Sequence, residues 1–401
     1  MVLLLQLPLP PSFFQCPPMT SDMAESVKAT AVHTTYDLIS KIQLRGGPNQ
    51  YECVSDEHDL KIYKGLKDTI GPHGEAVPVY CAHMEVVATI DEVIALFHTE
   101  VTNPKAFCRR FGKGLLDAVT LYELESSLGP QNRITVTWRA YDSQLPSVVR
   151  RRDVCAVECH DEFTLGGRRG WVRAFKSIEL PCCPGLETHM GLVRMANYGS
   201  GHVFVESELR PGYLDMYFVT QVDYCEGKSE WLLTDVLRCK KLLAKVITKK
   251  RCRSLLDIDR FLREDRLRQL PAVPMDPTYR HHCFMCTKRL MPIVKRTACH
   301  TCGHVFCPRC IQSWRVRANT TIMACYKCSI VQPTGFRSKY QKHSAPPPSD
   351  IISLSSPFKS QASHNRSMVS SNCTWLSDSE IAAQSKAAQT QQTPSGRSNG
   401  Y

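Results

Sequence analysis

The chain has 401 residues, a formal charge of +12 and 43% apolar residues, which is enough length for two or three domains and enough apolar content for packed cores. This composition excludes a wholly disordered chain. No run reaches the roughly 18 apolar residues of a membrane-spanning helix, so any membrane contact is expected to be peripheral. Gly-x-Ser-x-Gly, a Gly-rich phosphate loop and His-Glu-x-x-His are all absent, and no enzyme is expected.

Residues 1–30 are expected to be disordered, because the apolar run Val2–Leu7 breaks at Pro8 and Pro10-Pro11 and has no basic residue ahead of it, unlike a secretory signal. Residues 31–74 form a leading segment with helical signals at Leu38, Ile39, Ile42 and Leu44 and further apolar positions at Leu60, Ile62 and Leu66. From 75 to 268 the pattern is α+β. Val77–Val86 reads as a strand. Thr89 or Asp91 can cap a helix whose apolar face is Val93, Ile94, Leu96 and Phe97, stopped by Asn103-Pro104. Alternating runs at 118–124, 133–141, 152–160, 171–178, 192–209 and 213–224 predict strands. Trp231, Leu232, Val236, Leu237, Leu242, Leu243, Val246 and Ile247 predict one long helix from Ser229 to Lys250, with a basic opposite face. Helix signals continue over 257–270, and the proline-rich stretch 269–279 is a linker.

The order strand, helix, antiparallel strands, closing helix, together with Ser147-Val148-Val149-Arg150-Arg151-Arg152-Asp153 and the run Met216–Asp223, resembles a START domain. The resemblance implies a helix-grip fold, a sheet wrapped around a C-terminal helix, with an apolar ligand between them. Trp138, Val154, Val172, Phe175, Phe204, Phe218 and Trp231 are candidates to line such a cavity, and a filled core fits the same alternation.

Residues 280–335 carry four Cys-x2-Cys pairs: Cys283/Cys286, Cys299/Cys302, Cys307/Cys310 and Cys325/Cys328. Two intervening residues let both sulfurs reach one ion, and tetrahedral zinc takes four, so eight cysteines provide two closed, structural Zn2+ sites. The spacing, the basic pair Lys295-Arg296 and the run Cys302-Gly303-His304-Val305-Phe306-Cys307 resemble a FYVE-type finger. That resemblance implies a cross-brace, with pairs one and three on one zinc and two and four on the other. It also implies Lys295 and Arg296 at the head group of phosphatidylinositol 3-phosphate, and Leu290, Met291, Ile293 and Val294 in the bilayer. The family's two histidines and final arginine are replaced by Thr297, Ala298 and His300. A START-like domain followed by a FYVE-like finger is a known pairing.

Skipping Cys299 and taking His304 gives a ligand set that resembles a C3HC4 RING finger, which implies ubiquitin ligation with Trp314 near the groove for the partner enzyme. Between Asp276 and Asp350 there are twelve Lys or Arg and no acidic residue. Basic residues flanking the apolar run 290–294 favour anionic membrane lipid over nucleic acid as the partner. The Ser-, Gln- and Pro-rich tail 343–401 is expected to be disordered. The function expected is a membrane-peripheral lipid-binding adaptor, cytoplasmic and at the endosomal surface. A RING-type ubiquitin ligase is the alternative.

Overall fold

The computed structural model describes residues 7–331 and 353–354, apart from 11, 58, 72–75, 103–106, 108–109, 112–113, 125–131, 144–148, 225–239, 276–280, 291–295 and 318–319. The class is α+β, as the sequence predicts. Among the described residues the main sheet has eleven strands, nine of which form its antiparallel path while Val193–Arg194 (parallel) and Ser353–Leu354 pair off it with β6: β1 (Tyr51–Glu57), β2 (Leu60–Gly65), β3 (Tyr80–Val87), β4 (Leu115–Leu124), β5 (Arg133–Tyr141), β6 (Arg152–Leu165), β7 (Arg168–Ser177), β8 (Ser200–Glu206) and β9 (Tyr213–Thr220). Their order across the sheet is β1-β2-β3-β9-β8-β7-β6-β5-β4. The leading segment is therefore part of the same domain, since its hairpin β1–β2 pairs with β3.

Both faces of the sheet are covered. On β6, Cys155, Val157, Cys159 and Phe163 point to one face, while Ala156, Glu158 and His160 point to the other, as strand periodicity requires. The first, outer face is packed by helix α1 (Ser21–Lys41), which crosses β6, β7 and β8. Gly201 permits the close approach: a Cβ there would stand 2.8 Å from Leu38 Cδ1 and 2.1 Å from Arg173 O. The chain ahead of α1 lies on the same face, with Leu9, Phe13 and Phe14 buried, Phe14 5.2 Å from Trp138, and Leu9 N donating to Asp117 Oδ2 at 2.6 Å. The expectation of disorder over 1–30 therefore fails from Leu9 onward. Phe13 and Phe14 find apolar partners on the sheet, and Thr20 caps α1 through Met23 N.

The inner face is covered by α2 (Ile90–Thr102) and by the C-terminal helices α3 (Lys240–Cys252) and α4 (Ser254–Gln269). Thr89 caps α2 in a reciprocal box: Glu92 N donates to Thr89 Oγ1 at 3.2 Å, and Thr89 N donates to Glu92 Oε2 at 2.8 Å. Of the closing helix predicted over 229–250, residues 229–239 lie outside the described part and the rest is α3, while the helix signals over 257–270 correspond to α4, which begins after a break at Arg253. Of the tail, the described residues 353–354 pair as a strand with Phe163 and Thr164 of β6.

Candidate metal centre

Residues 281–331 fold around a hairpin of β10 (Ile311–Arg317) and β11 (Thr320–Cys325). Its register sets Ile311 opposite Cys325, so the third and fourth cysteine pairs flank the hairpin's open end. The knuckles are closed by backbone bonds: Thr287 N to Cys283 O at 2.8 Å, Gly303 N to Cys299 O at 2.9 Å and Cys310 N to Cys307 O at 2.9 Å. Thr287 has φ of 56°, as the tight first knuckle demands.

These turns gather the sulfurs into two tetrads, Cys283/Cys286/Cys307/Cys310 and Cys299/Cys302/Cys325/Cys328, with all ligand atoms of each within 4.8 Å of one another. This is the cross-braced pairing that the FYVE resemblance implies. Each tetrad can hold a metal ion. Four soft sulfur donors with no carboxylate or water position suit a tetrahedral thiophilic ion. The Cys299 thiol is drawn down to about 4, first by the hydrogen bond from Cys325 and, against burial, by backbone N–H groups that include Cys325 N at 3.4 Å.

His304 stands outside both tetrads, its ring 3.9 Å from that of Phe284. The ligand set needed for the RING resemblance is thus not assembled. Trp314 is 5% exposed and its Nε1 donates to Ala324 O at 3.2 Å, so it offers no surface for a partner enzyme.

The membrane-facing residues divide. Leu290 is 5% exposed and packs in the finger core with Phe306 and Ile311, which corrects its assignment to the bilayer: its N–H donates to His281 O, and that hairpin turns the side chain inward. Met291, Ile293, Val294 and Lys295 lie outside the described residues, and Arg296 is exposed. Sequence reasoning missed Phe284 and Met285. They are 44% and 39% exposed in the first knuckle, and exposed His281, His282, Lys288 and Arg289 lie on the same turn. An apolar pair between two metal-binding cysteines, with basic residues on either side, is the signal that could have found them.

The finger is docked on α4. Leu267 is buried in its core, Arg315 N donates to Glu264 Oε1 at 3.0 Å, and Arg263 lies 5.0 Å over the Tyr326 ring. Gly303, at φ of 73°, meets the linker, where a Cβ would stand 2.3 Å from Pro274 O.

In the larger domain, the candidate cavity-lining residues fall on opposite faces of the sheet. Trp138 and Val172 face α1, whereas Phe204 and Phe218 face α2 and α4, and Trp231 lies outside the described residues. The inner face is filled by Phe97, Phe107, Trp171, Phe204 and Phe218 around a buried ion cluster. Glu158 accepts from Arg139 at 2.5 Å and Arg173 at 2.6 Å and bonds His160 at 2.7 Å. Burial alone would push the Glu158 carboxyl up, and the two guanidiniums hold it well below the carboxylate range. Between Tyr141, Val149, Met195, Tyr224, Ile247 and Arg251 there is a cavity of about 40 Å3, against several hundred Å3 for a typical ligand site.

No protein-family profile and no curated protein matches the chain. Among solved structures it is similar to human StAR-related lipid transfer protein 5, at 10% identity and TM-score 0.40, over 58% of this chain and 98% of that one. It is also similar to human STARD10, at 12% identity and TM-score 0.34, over 61% and 84%, and to the human StarD13 (DLC2) lipid transfer and protein localization domain, at 14% and 0.34, over 50% and 86%. Likeness at this level carries no functional inference.

Proposed function

We propose that the chain is a non-enzymatic, membrane-peripheral adaptor whose finger, closed by two Zn2+ ions, meets an anionic bilayer at the cytoplasmic face of endosomes. The observation that carries this reading is the exposed pair Phe284–Met285 in a finger that has no acidic residue between Asp276 and Asp350. Apolar side chains enter the interface while basic ones neutralise lipid head groups, at about 1 kcal/mol per Lys or Arg near the surface. Lys288, Arg289, Arg296, Arg309 and Lys327 are exposed to do so. Bound zinc supplies only the closed tetrahedral cross-links that hold the knuckles in place.

The experiment is sedimentation of the metal-loaded full chain with neutral, phosphatidylserine and phosphatidylinositol 3-phosphate liposomes. Binding to either anionic composition supports the reading, and a preference for the 3-phosphate adds head-group recognition through Lys295 and Arg296. Absence of binding to all three defeats it. In this reading the START-like domain takes an apolar ligand at the small cavity beneath α3. At about 40 Å3 it admits no lipid as it stands, so α3 must swing off the sheet for uptake. Mass spectrometry of organic extracts from the purified chain tests that step, and an extract without lipid leaves the domain as a scaffold.

A further inference from the structure

Where β6 begins, the sheet carries a small cluster of its own, apart from the main inner core. Strand alternation puts Val154 and Ala156 on one face, and Met195 with the partly buried Tyr141 and Tyr224 packs against them. Hydrogen bonds fix the walls: Met195 N donates to Asp153 O at 3.0 Å, Asp142 N to Gly114 O at 2.8 Å, and Arg152 Nε to Tyr224 O at 2.7 Å. Helix α3 brings Ile247 and Arg251, which are four residues apart and so share a helix face. Between these walls lies the cavity of about 40 Å3. A buried water needs about 10–15 Å3, so the space suits about three waters or one small oxyanion.

The charges around this cavity do not balance. Arg150, Arg152 and Arg251 line it with one carboxylate, Asp142. Asp142 already binds Arg151 at 3.2 Å, and Arg150 binds Glu187 at 3.1 Å. Arg152 gives two donors to neutral acceptors, the carbonyls of Tyr224 and Arg150, both at 2.7 Å. Arg251 has no carboxylate partner among the described residues. Its Nη1 donates to the Tyr224 hydroxyl oxygen at 3.5 Å, and its Cζ lies 5.7 Å from the Tyr141 ring centre and 5.8 Å from that of Tyr224. The two rings hold the guanidinium in place without neutralising it, and the phenol that accepts from it keeps its own proton to donate. A guanidinium withdrawn from water among neutral partners is costly to keep, and an oxyanion matches its fork of donors.

We propose that this cavity is an oxyanion site anchored by Arg251, and that its ligand is a phosphate group, either free or at the head of a lipid. Donors reach the cavity from α3, from β6 and from the segment that carries Tyr224, an arrangement that suits a tetrahedral phosphate better than a flat carboxylate. Arg251 supplies the fork, the Tyr224 hydroxyl a further donor, and Arg152 positive charge from the β6 side. Val149, Met195 and Ile247, all buried, keep water away and so strengthen the attraction. Free phosphate fits the cavity as it stands. The lipid source rests on the lipid-binding reading above and names the polar end of that ligand, with the acyl chains lying where α3 must move.

The test titrates the full, zinc-loaded chain in a calorimeter with inorganic phosphate and, separately, with dihexanoyl phosphatidic acid below its micelle concentration, at constant ionic strength. The expected result is a saturable heat with phosphate, which means that the free ion suffices, or with the lipid alone, which means that the acyl chains are needed. In Arg251→Met, which keeps an apolar stem between the two rings, the affinity should fall at least about tenfold, the value of one charge-assisted hydrogen bond. Val149→Phe fills the cavity and leaves every charged group in place, so it should abolish the heat even if Arg251→Met fails to fold. Both variants leave the finger unchanged and should bind anionic liposomes as the parent chain does, so failure of this site and failure of the membrane reading are separate results. No saturable heat with either probe, or an unchanged heat in either folded variant, overturns the proposal.

Discussion

The His202 ring packs among Phe97, Phe204 and Phe218, and both its nitrogens are buried with no hydrogen-bond partner among the described residues. Burial first, then the charges of Arg173 and Arg251, push its pKa down to about 3. The unfolded chain takes up this proton near pH 6.5, while the folded chain refuses it until near 3, so acid favours unfolding across that window. From pH 7 to pH 5 this one residue should cost about 2 kcal/mol. His202→Phe should flatten that part of the stability profile in urea titrations at the two pH values. A second residue-scale prediction concerns the metal. His304→Ala should keep about two zinc ions per chain by elemental analysis, whereas Cys299→Ser should lose one, because only the latter removes a tetrad sulfur. A third concerns the membrane surface. Replacing Phe284 and Met285 together by Ser should weaken liposome binding at least tenfold while zinc content stays unchanged, since roughly 1.4 kcal/mol is a conservative value for two half-exposed apolar side chains.

At the level of elements, Glu92 performs two tasks, closing the cap with Thr89 and receiving Arg266 of α4 at 2.6 Å. Thr89→Ala should therefore cost about 1 kcal/mol. Glu92→Ala should cost about 3 kcal/mol, because it also strands a guanidinium that is 1% exposed. Denaturation midpoints of the two variants check the order. The Thr89 cap was legible in the sequence, as were β5 and the span of β6 and β7, because their alternation is regular and turn residues bound them. Helix α1 was not. Its contact with the sheet is made by Val27, Ala31, Leu38 and Ile39 together with Thr34 and Thr35, whose hydroxyls turn back onto Thr30 O and Ala31 O. Buried threonines read as polar in a periodicity count and so hid the apolar face. The eight ligands of the two tetrads were legible because cysteine spacing is a local signal, whereas their cross-braced pairing came only from the FYVE resemblance. The inward turn of Leu290 and the outward Phe284 were not, because a knuckle of a few residues has no period to read.

Across the whole molecule, α4 belongs to two cores at once. Leu255, Ile258 and Leu262 pack beneath the sheet, and Leu267 packs in the finger. Metal bound only by the folded finger stabilises that fold by mass action, and a shared helix passes part of the gain to the larger domain. Chelation should lower the midpoint of the transition seen at Trp171, which is 1% exposed in the larger core. A midpoint that ignores chelation would mean the two cores unfold independently. Because Arg315, Tyr326 and Gly303 also lock onto α4 and its linker, the pair forms a bracket and not two beads on a string. A flexible tether would let a membrane-bound finger present its partner domain at every angle, with a local concentration set by linker length. A bracket fixes a single angle. On the proposed membrane reading, the rim of the sheet that would meet a bilayer alongside Phe284 is decided when the chain folds, so orientation would be set together with proximity.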